Sequence, residues 1–269
     1  MDDSKNRRNQ ALLVAAISTL LRRPRPKLSA NFFFHVIPYS LLGVVINQAS
    51  FLEGLRYTTP TNSSILNTLI PVLTLAFVTI AGKEKASLKR MVGFLLALAG
   101  VLVLRNVEDF SLSNQTLLGD SLTLLNCVSY AIFLTVSKKF ISSHDTLWVT
   151  TWMFTFGSIG LTLMSIPAWS DFQMPELTIG MIACMIYSIL GATLLAYLLN
   201  NWALVRVHSS LVALFIYVQP VVTSIITWTW FNEAPTPRSV VASVLIFAGM
   251  ILSLRRNEIP TSNGSQNLK

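Results

Sequence analysis

The sequence predicts an all-α polytopic membrane protein made of two inverted helical repeats. Three observations predict it. Charge is sparse along a series of long apolar runs, basic residues gather in alternate loops, and the chain resembles itself at a shift of 149 residues.

Of the 269 residues, 52% are hydrophobic and 12% are charged, about half the charged share of an ordinary soluble domain. Apolar runs lie at 32–52, 63–81, 91–104, 117–136, 146–168, 177–200, 209–231 and 239–254. Most approach the roughly 20 residues that cross about 30 Å of hydrocarbon, and flanking residues lengthen the shorter ones. They predict eight complete spans in a lipid bilayer.

The net charge of +8 reports topology and argues against a nucleic-acid partner. Arg22, Arg23, Arg25 and Lys27 form one cluster, and Lys83, Lys85, Lys89 and Arg90 a second. Lys138 and Lys139, Arg206, and Arg255 and Arg256 continue the series, while the intervening loops hold only Arg56, Arg105 and Arg238. Basic loops stay in the cytoplasm, so the C-terminus is expected there, with residues 256–269 as a disordered tail. The expected location is the bacterial cytoplasmic membrane. Cys127 and Cys184 fall inside apolar runs, which suits helix packing better than a disulfide or a metal site.

Internal repeats are sought before local motifs. LRYTTPTNSSILNTLIPVLT (55–74) lies on LVRVHSSLVALFIYVQPVVT (204–223), placing Pro71 on Pro220 and Thr74 on Thr223. Glu84 then meets Glu233, and Ala99-Gly100 meets Ala248-Gly249. Upstream, YSLLG (39–43) echoes YSILG (187–191) at a shift of 148, so one residue is gained between. Five spans separate each element from its echo when one copy of the unit is counted, and an odd number inverts the second copy. The charges agree: GKEKASLKR (82–90) is basic, whereas FNEAPTPRS (231–239) is nearly neutral. Inverted repeats recur in secondary transporters, with the substrate near the midplane between the halves.

The second half resembles the EamA-type units of the drug/metabolite transporter superfamily. Gly119-Asp120 opens its first helix, Pro220 lies in the fourth, Glu233 follows, and Ala248-Gly249 lies in the fifth. The resemblance implies two five-helix units, ten helices in the family norm, and divides the chain into 1–105, 117–255 and the tail. It implies a secondary transporter that exports or exchanges small metabolites, drug-like compounds or amino-acid-like solutes by alternating access. The alternative is a nonfunctional or structural remnant of such a transporter. No nucleophile elbow, phosphate loop or metal-ligand spacing stands in the sequence, so neither an enzyme nor a cofactor is expected, and a homodimer is left open.

Proline leaves the carbonyl four residues back without its usual donor, which in a bilayer is tolerated where it faces protein or a wet cavity. Ser63, Asn67, Pro71 and Thr74 form one helical stripe, and Tyr217 and Gln219 flank Pro220 in the inverted copy. Asn67, Tyr217 and Gln219 are therefore expected at a shared cavity, with Pro71 and Pro220, and with Asn47 and Trp152 at its wall. Asn126 and Tyr130 complete the expected substrate-binding set. The stripe of Ser40, Gly43, Asn47, Ser50 and Gly54 also fits close helix packing, and Gly93, Ala97 and Gly100, echoed by Ala242 and Gly249, read as packing faces. Asp120 opens its helix, where negative charge is favoured, and is the candidate coupling carboxylate.

Shifting 117–141 back by 148 lands before residue 1, so the first copy is expected to lack its opening helix. Ala11–Leu21 would span about 16 Å, too short to cross, and is expected as a half-span or interfacial helix.

Overall fold

The computed structural model describes residues 29–85, 87–104, 116–166, 178–231 and 236–254. The expectations for the N-terminal segment, the C-terminal tail and Glu233 lie outside them. Eight long helices run through these residues. α1 is Ala30–Tyr57. α2 comprises Pro60–Asn67 and Leu69–Ile80, interrupted at Thr68, and α3 is Leu88–Leu104. α4 is Leu117–Ser142 and α5 is Thr146–Ser165. α6 is Ile179–Arg206, α7 runs from Ser209 through a 3₁₀ turn at Phe215–Val218 to Phe231, and α8 is Pro237–Leu254.

Seven of these helices are long and apolar enough to cross a membrane by length and composition. α3, at 17 residues, is about 26 Å long at 1.5 Å per residue. It pairs with α8, itself an apolar helix of spanning length. Several helices outrun their apolar sequence: α1 continues through Glu53 and Arg56, α4 through Lys138 and Lys139, and α6 through Arg206. Long cationic side chains can lay their stems along apolar surface and keep the charge at the interface, so polarity there does not stop the helix.

The repeat is visible in the backbone irregularities. α1 changes to π-helix at Leu41–Ile46, and its counterpart α6 does so at Ser188–Leu195. A π-bulge accommodates an extra residue within a helix. The shift passes from 148 at YSLLG and YSILG, where the π segments begin, to 149 after them, so the extra residue falls within the second π segment, the longer of the two. Downstream, Asn47–Tyr57 and Ala196–Arg206 are both 11 residues long and 149 apart at both ends. The break at Thr68 in α2 is likewise echoed by the 3₁₀ turn of α7.

α3 and α8 pack through the expected small residues. A Cβ added to Gly93 would lie 2.6 Å from the Gly249 carbonyl oxygen, and one on Gly100 would lie 2.9 Å from that of Ala242. Residue numbers rise along α3 as they fall along α8, so the pair is antiparallel. The shift carries Gly93 to Ala242 and Gly100 to Gly249, so each contact is the other's image under a two-fold rotation. Because the helices are antiparallel and cross the bilayer, that axis lies in the membrane plane.

α4 forms the other seam. Gly43 of α1 faces the Phe133 ring, and Gly54 approaches the backbone of Gly119. Ser40 Oγ donates to the Met153 carbonyl of α5 over 2.6 Å, and Ser129 Oγ to the Leu42 carbonyl, at the edge of the π segment, over 2.7 Å. The stripe of Ser40, Gly43, Asn47, Ser50 and Gly54 is thus a packing seam, buried throughout. α6 is different: its apolar window is only 6% buried, and Ile179, Ile186, Leu195, Leu199 and Trp202 face outward. Cys184 is exposed on α6, so packing explains Cys127 alone of the two cysteines.

Candidate functional site

A cavity of about 130 Å³ opens where α2 and α7 both lose their α-helical course. The first repeat lines it with Ser64, Asn67, Thr68 and Val101, and the second with Ile216, Tyr217, Gln219 and Pro220. The lining side chains offer carboxamides, hydroxyls and apolar surface, with no formal charge.

Local sequence builds the irregularity on both sides. Thr59 caps Pro60–Asn67 through its side chain, with proline in the first turn, where the missing N–H costs nothing. The α-helical course ends at Asn67: the Thr68 N–H and its hydroxyl both turn back onto the Ile65 carbonyl, at 3.0 and 2.6 Å. Pro71 lies just beyond, buried, and cannot donate to the Asn67 carbonyl. In α7, Pro220 follows the 3₁₀ turn and cannot donate to Ile216.

Tyr217 closes the gap between the two breaks. It is 1% exposed, and its hydroxyl donates to the Thr68 carbonyl over 2.8 Å. A buried polar group without a partner costs about 1–3 kcal/mol, so this bond satisfies the buried Tyr217 hydroxyl and ties the two breaks together. Cys127 Sγ donates to the Leu66 carbonyl and to Asn67 Oδ1, both at 3.4 Å, which fixes the amide of Asn67 against α4.

Of the nine residues expected to bind substrate, the structure brings Asn67, Tyr217, Gln219 and Pro220 together at the cavity. Pro71 is buried beside it without lining it. Asn47 and Asn126 belong to the α1–α4 seam, where Asn126 Nδ2 donates to the Asn47 carbonyl over 2.7 Å. Trp152 lies away from the lining, against Phe33 and Phe156. Tyr130 stacks near Phe133 and packs against that same core.

Two groups outside the expected substrate-binding set are prominent here. Gln48 Nε2 donates to the Tyr197 hydroxyl at 3.3 Å, and that hydroxyl donates to the Gly43 carbonyl, inside the π segment, at 2.9 Å. Glu84 is 8% exposed and binds Arg90 at 2.7 Å, Ser210 Oγ at 2.5 Å and the Ser210 N–H at 3.4 Å. His208 Nδ1 stands 3.8 Å away. Gly82, at φ 65°, lets the chain reverse after α2 so that the N–H groups of Lys83 and Glu84 return to the Val78 carbonyl. That turn aims Glu84 inward.

Asp120 is buried in the first turn of α4, at 3% exposure. It accepts from Thr58 Oγ1 at 2.5 Å and from Asn62 Nδ2 at 3.3 Å. Gly119 permits this, since a Cβ there would lie 2.5 Å from the Thr58 nitrogen. Asp120 therefore ties two helices together as well as sitting at a helix start.

The sequence comparisons agree with this architecture. The model of the EamA-like transporter family matches residues 10–106 and 117–255. An uncharacterized transporter of Archaeoglobus fulgidus is 27% identical over 237 residues, covering 86% of this chain and 80% of that protein. The uncharacterized transporter YyaM of Bacillus subtilis is 25% identical over 236 residues, covering 84% and 75%. A WAT1-related protein of Arabidopsis thaliana is 23% identical over 258 residues, covering 83% and 67%. A crystal structure with 16% sequence identity superimposes at a TM-score of 0.76, covering 93% of this chain and 85% of the other, and shares the fold. The chain belongs to the EamA-like transporter family, as a multi-pass helical membrane transporter.

Proposed function

We propose that this chain moves small hydrogen-bonding solutes across the bilayer by alternating access, with the two repeats rocking about the cavity between α2 and α7. The observation that carries this reading is the equal share of the two repeats in the lining, four residues from each, at backbone breaks that the repeat shift superimposes. A site built half from each repeat changes its exposure when one repeat moves against the other. Asn67 and Gln219 offer carboxamides that both donate and accept. The solutes are small metabolites, drug-like compounds or amino-acid-like molecules, exported or exchanged.

The test is flux from proteoliposomes loaded with a metabolite extract. Solutes that leave vesicles containing the protein faster than empty vesicles identify the cargo. If no solute does so, in either direction and with either pH gradient, the transport reading is wrong.

A further inference from the structure

We infer that Glu84 and Asp120 are a pair of latches, one at each membrane end, that hold the repeats together and are broken in turn. The inference rests on the alternating-access reading. The α1–α2 corner at Thr58–Thr59 and the α6–α7 corner at Val207–His208 are equivalent under the shift of 149 residues. Inversion places them at opposite ends of the bundle. Each corner is gripped by a buried carboxylate from the other repeat. Asp120 of the second repeat binds Thr58 and Asn62 of the first. Glu84 of the first binds Ser210 of the second, beside His208.

The surroundings of the two carboxylates differ. Glu84 has Arg90 against it, with His208 and Lys138 also within electrostatic reach. Arg90 also donates to Ser210 Oγ, so one carboxylate and one guanidinium converge on one hydroxyl. The bonds to Asp120 come from a hydroxyl and an amide. Hydrogen bonds with an ionised partner are roughly twice as strong as neutral ones. A cavity between the repeats can open toward one end only if the contacts that cross between repeats at that end give way. Lys83 to the Thr135 carbonyl at one end and Arg238 to the Val103 carbonyl at the other also cross between repeats, but each of these ends on a backbone carbonyl. The two carboxylates instead grip the equivalent corners, each at its own end.

The test reads the cavity from both sides with a membrane-impermeant maleimide. The reporter is Ser64→Cys in the full chain, with Cys127→Ala and Cys184→Ser, in vesicles of each orientation. Glu84→Gln should speed labelling from the end that carries Lys83 and Lys138 by about tenfold and slow it from the other. Asp120→Asn should do the reverse. Ser210→Ala and Thr58→Val keep the carboxylates and remove a partner, so they carry the test if a carboxylate variant fails to accumulate, and should shift labelling the same way by a smaller factor. Opposite-signed shifts support the latches even if no solute is ever found to move, because labelling needs none. Shifts of the same sign, or unchanged side preference in a protein that transports, overturn them.

Discussion

Tyr217 donates its hydroxyl to the Thr68 carbonyl over 2.8 Å, and these residues are 149 positions apart, the shift that superimposes the two repeats. Residues that are each other's repeat equivalents can meet only close to the axis that relates the repeats. Gln48 and Tyr197, also 149 apart, hydrogen-bond as well. The cavity, with Thr68 and Tyr217 both in its lining, therefore sits beside the pseudo-two-fold axis.

Removing the Tyr217 hydroxyl tests that junction. Tyr217→Phe keeps the buried ring and removes the hydrogen bond that links it to Thr68, at a cost of about 1 kcal/mol. The variant should accumulate in the membrane, unfold at a lower temperature in detergent, and transport more slowly. An unchanged unfolding temperature would mean that the bond between the two breaks does not hold the junction together.

The α3–α8 seam admits no larger side chain. Gly93→Val would drive a side chain into the Gly249 backbone, where an added Cβ already lies 2.6 Å from the carbonyl oxygen. Overpacking of this kind costs about 1–3 kcal/mol, and more where backbone must move. Ala248→Val, at an exposed position on the same helix, should be nearly neutral. Thermal unfolding of the two variants should separate them clearly.

Polar residues of the bundle divide by role. Asn67→Leu removes a cavity amide and should cut flux by about tenfold, roughly one lost hydrogen bond, with expression kept. Asn126→Leu instead breaks the bond to the Asn47 carbonyl and should lower the unfolding temperature. Equal effects of the two on stability and on flux would erase that distinction.

Much of this was legible in the sequence, because an inverted repeat leaves two kinds of trace. Paired prolines and paired Ala-Gly steps marked equivalent helices, and loop charge marked their opposite orientation. The contacts fall as those charges require: Lys83 reaches the Thr135 carbonyl, Lys138 the Val207 carbonyl and Glu84 Ser210 at one end. Arg238 reaches the Val103 carbonyl at the other. Other features left weaker traces. The π segments show in sequence only as a one-residue change of shift. Asn47 lies on a face of small residues that suited both a cavity and a seam, and spacing alone cannot choose. Glu84 sits in a run of charges that looks solvated, and its partner Ser210 is 126 residues away.

Sidedness offers an independent check on the inversion. Single cysteines at Lys85 and at Arg238, both exposed, should label from opposite faces of the membrane once Cys184 is replaced by serine. Labelling of both from one face would contradict the inverted arrangement.

The claim that solute passes through the cavity beside the axis is tested most directly by one flux measurement. A cysteine replaces Gln219, which lines the cavity and remains exposed, and transport is recorded before and after complete reaction with a bulky thiol reagent. The account predicts that modification stops flux and that saturating solute slows the modification. Undiminished flux through fully modified protein would contradict it.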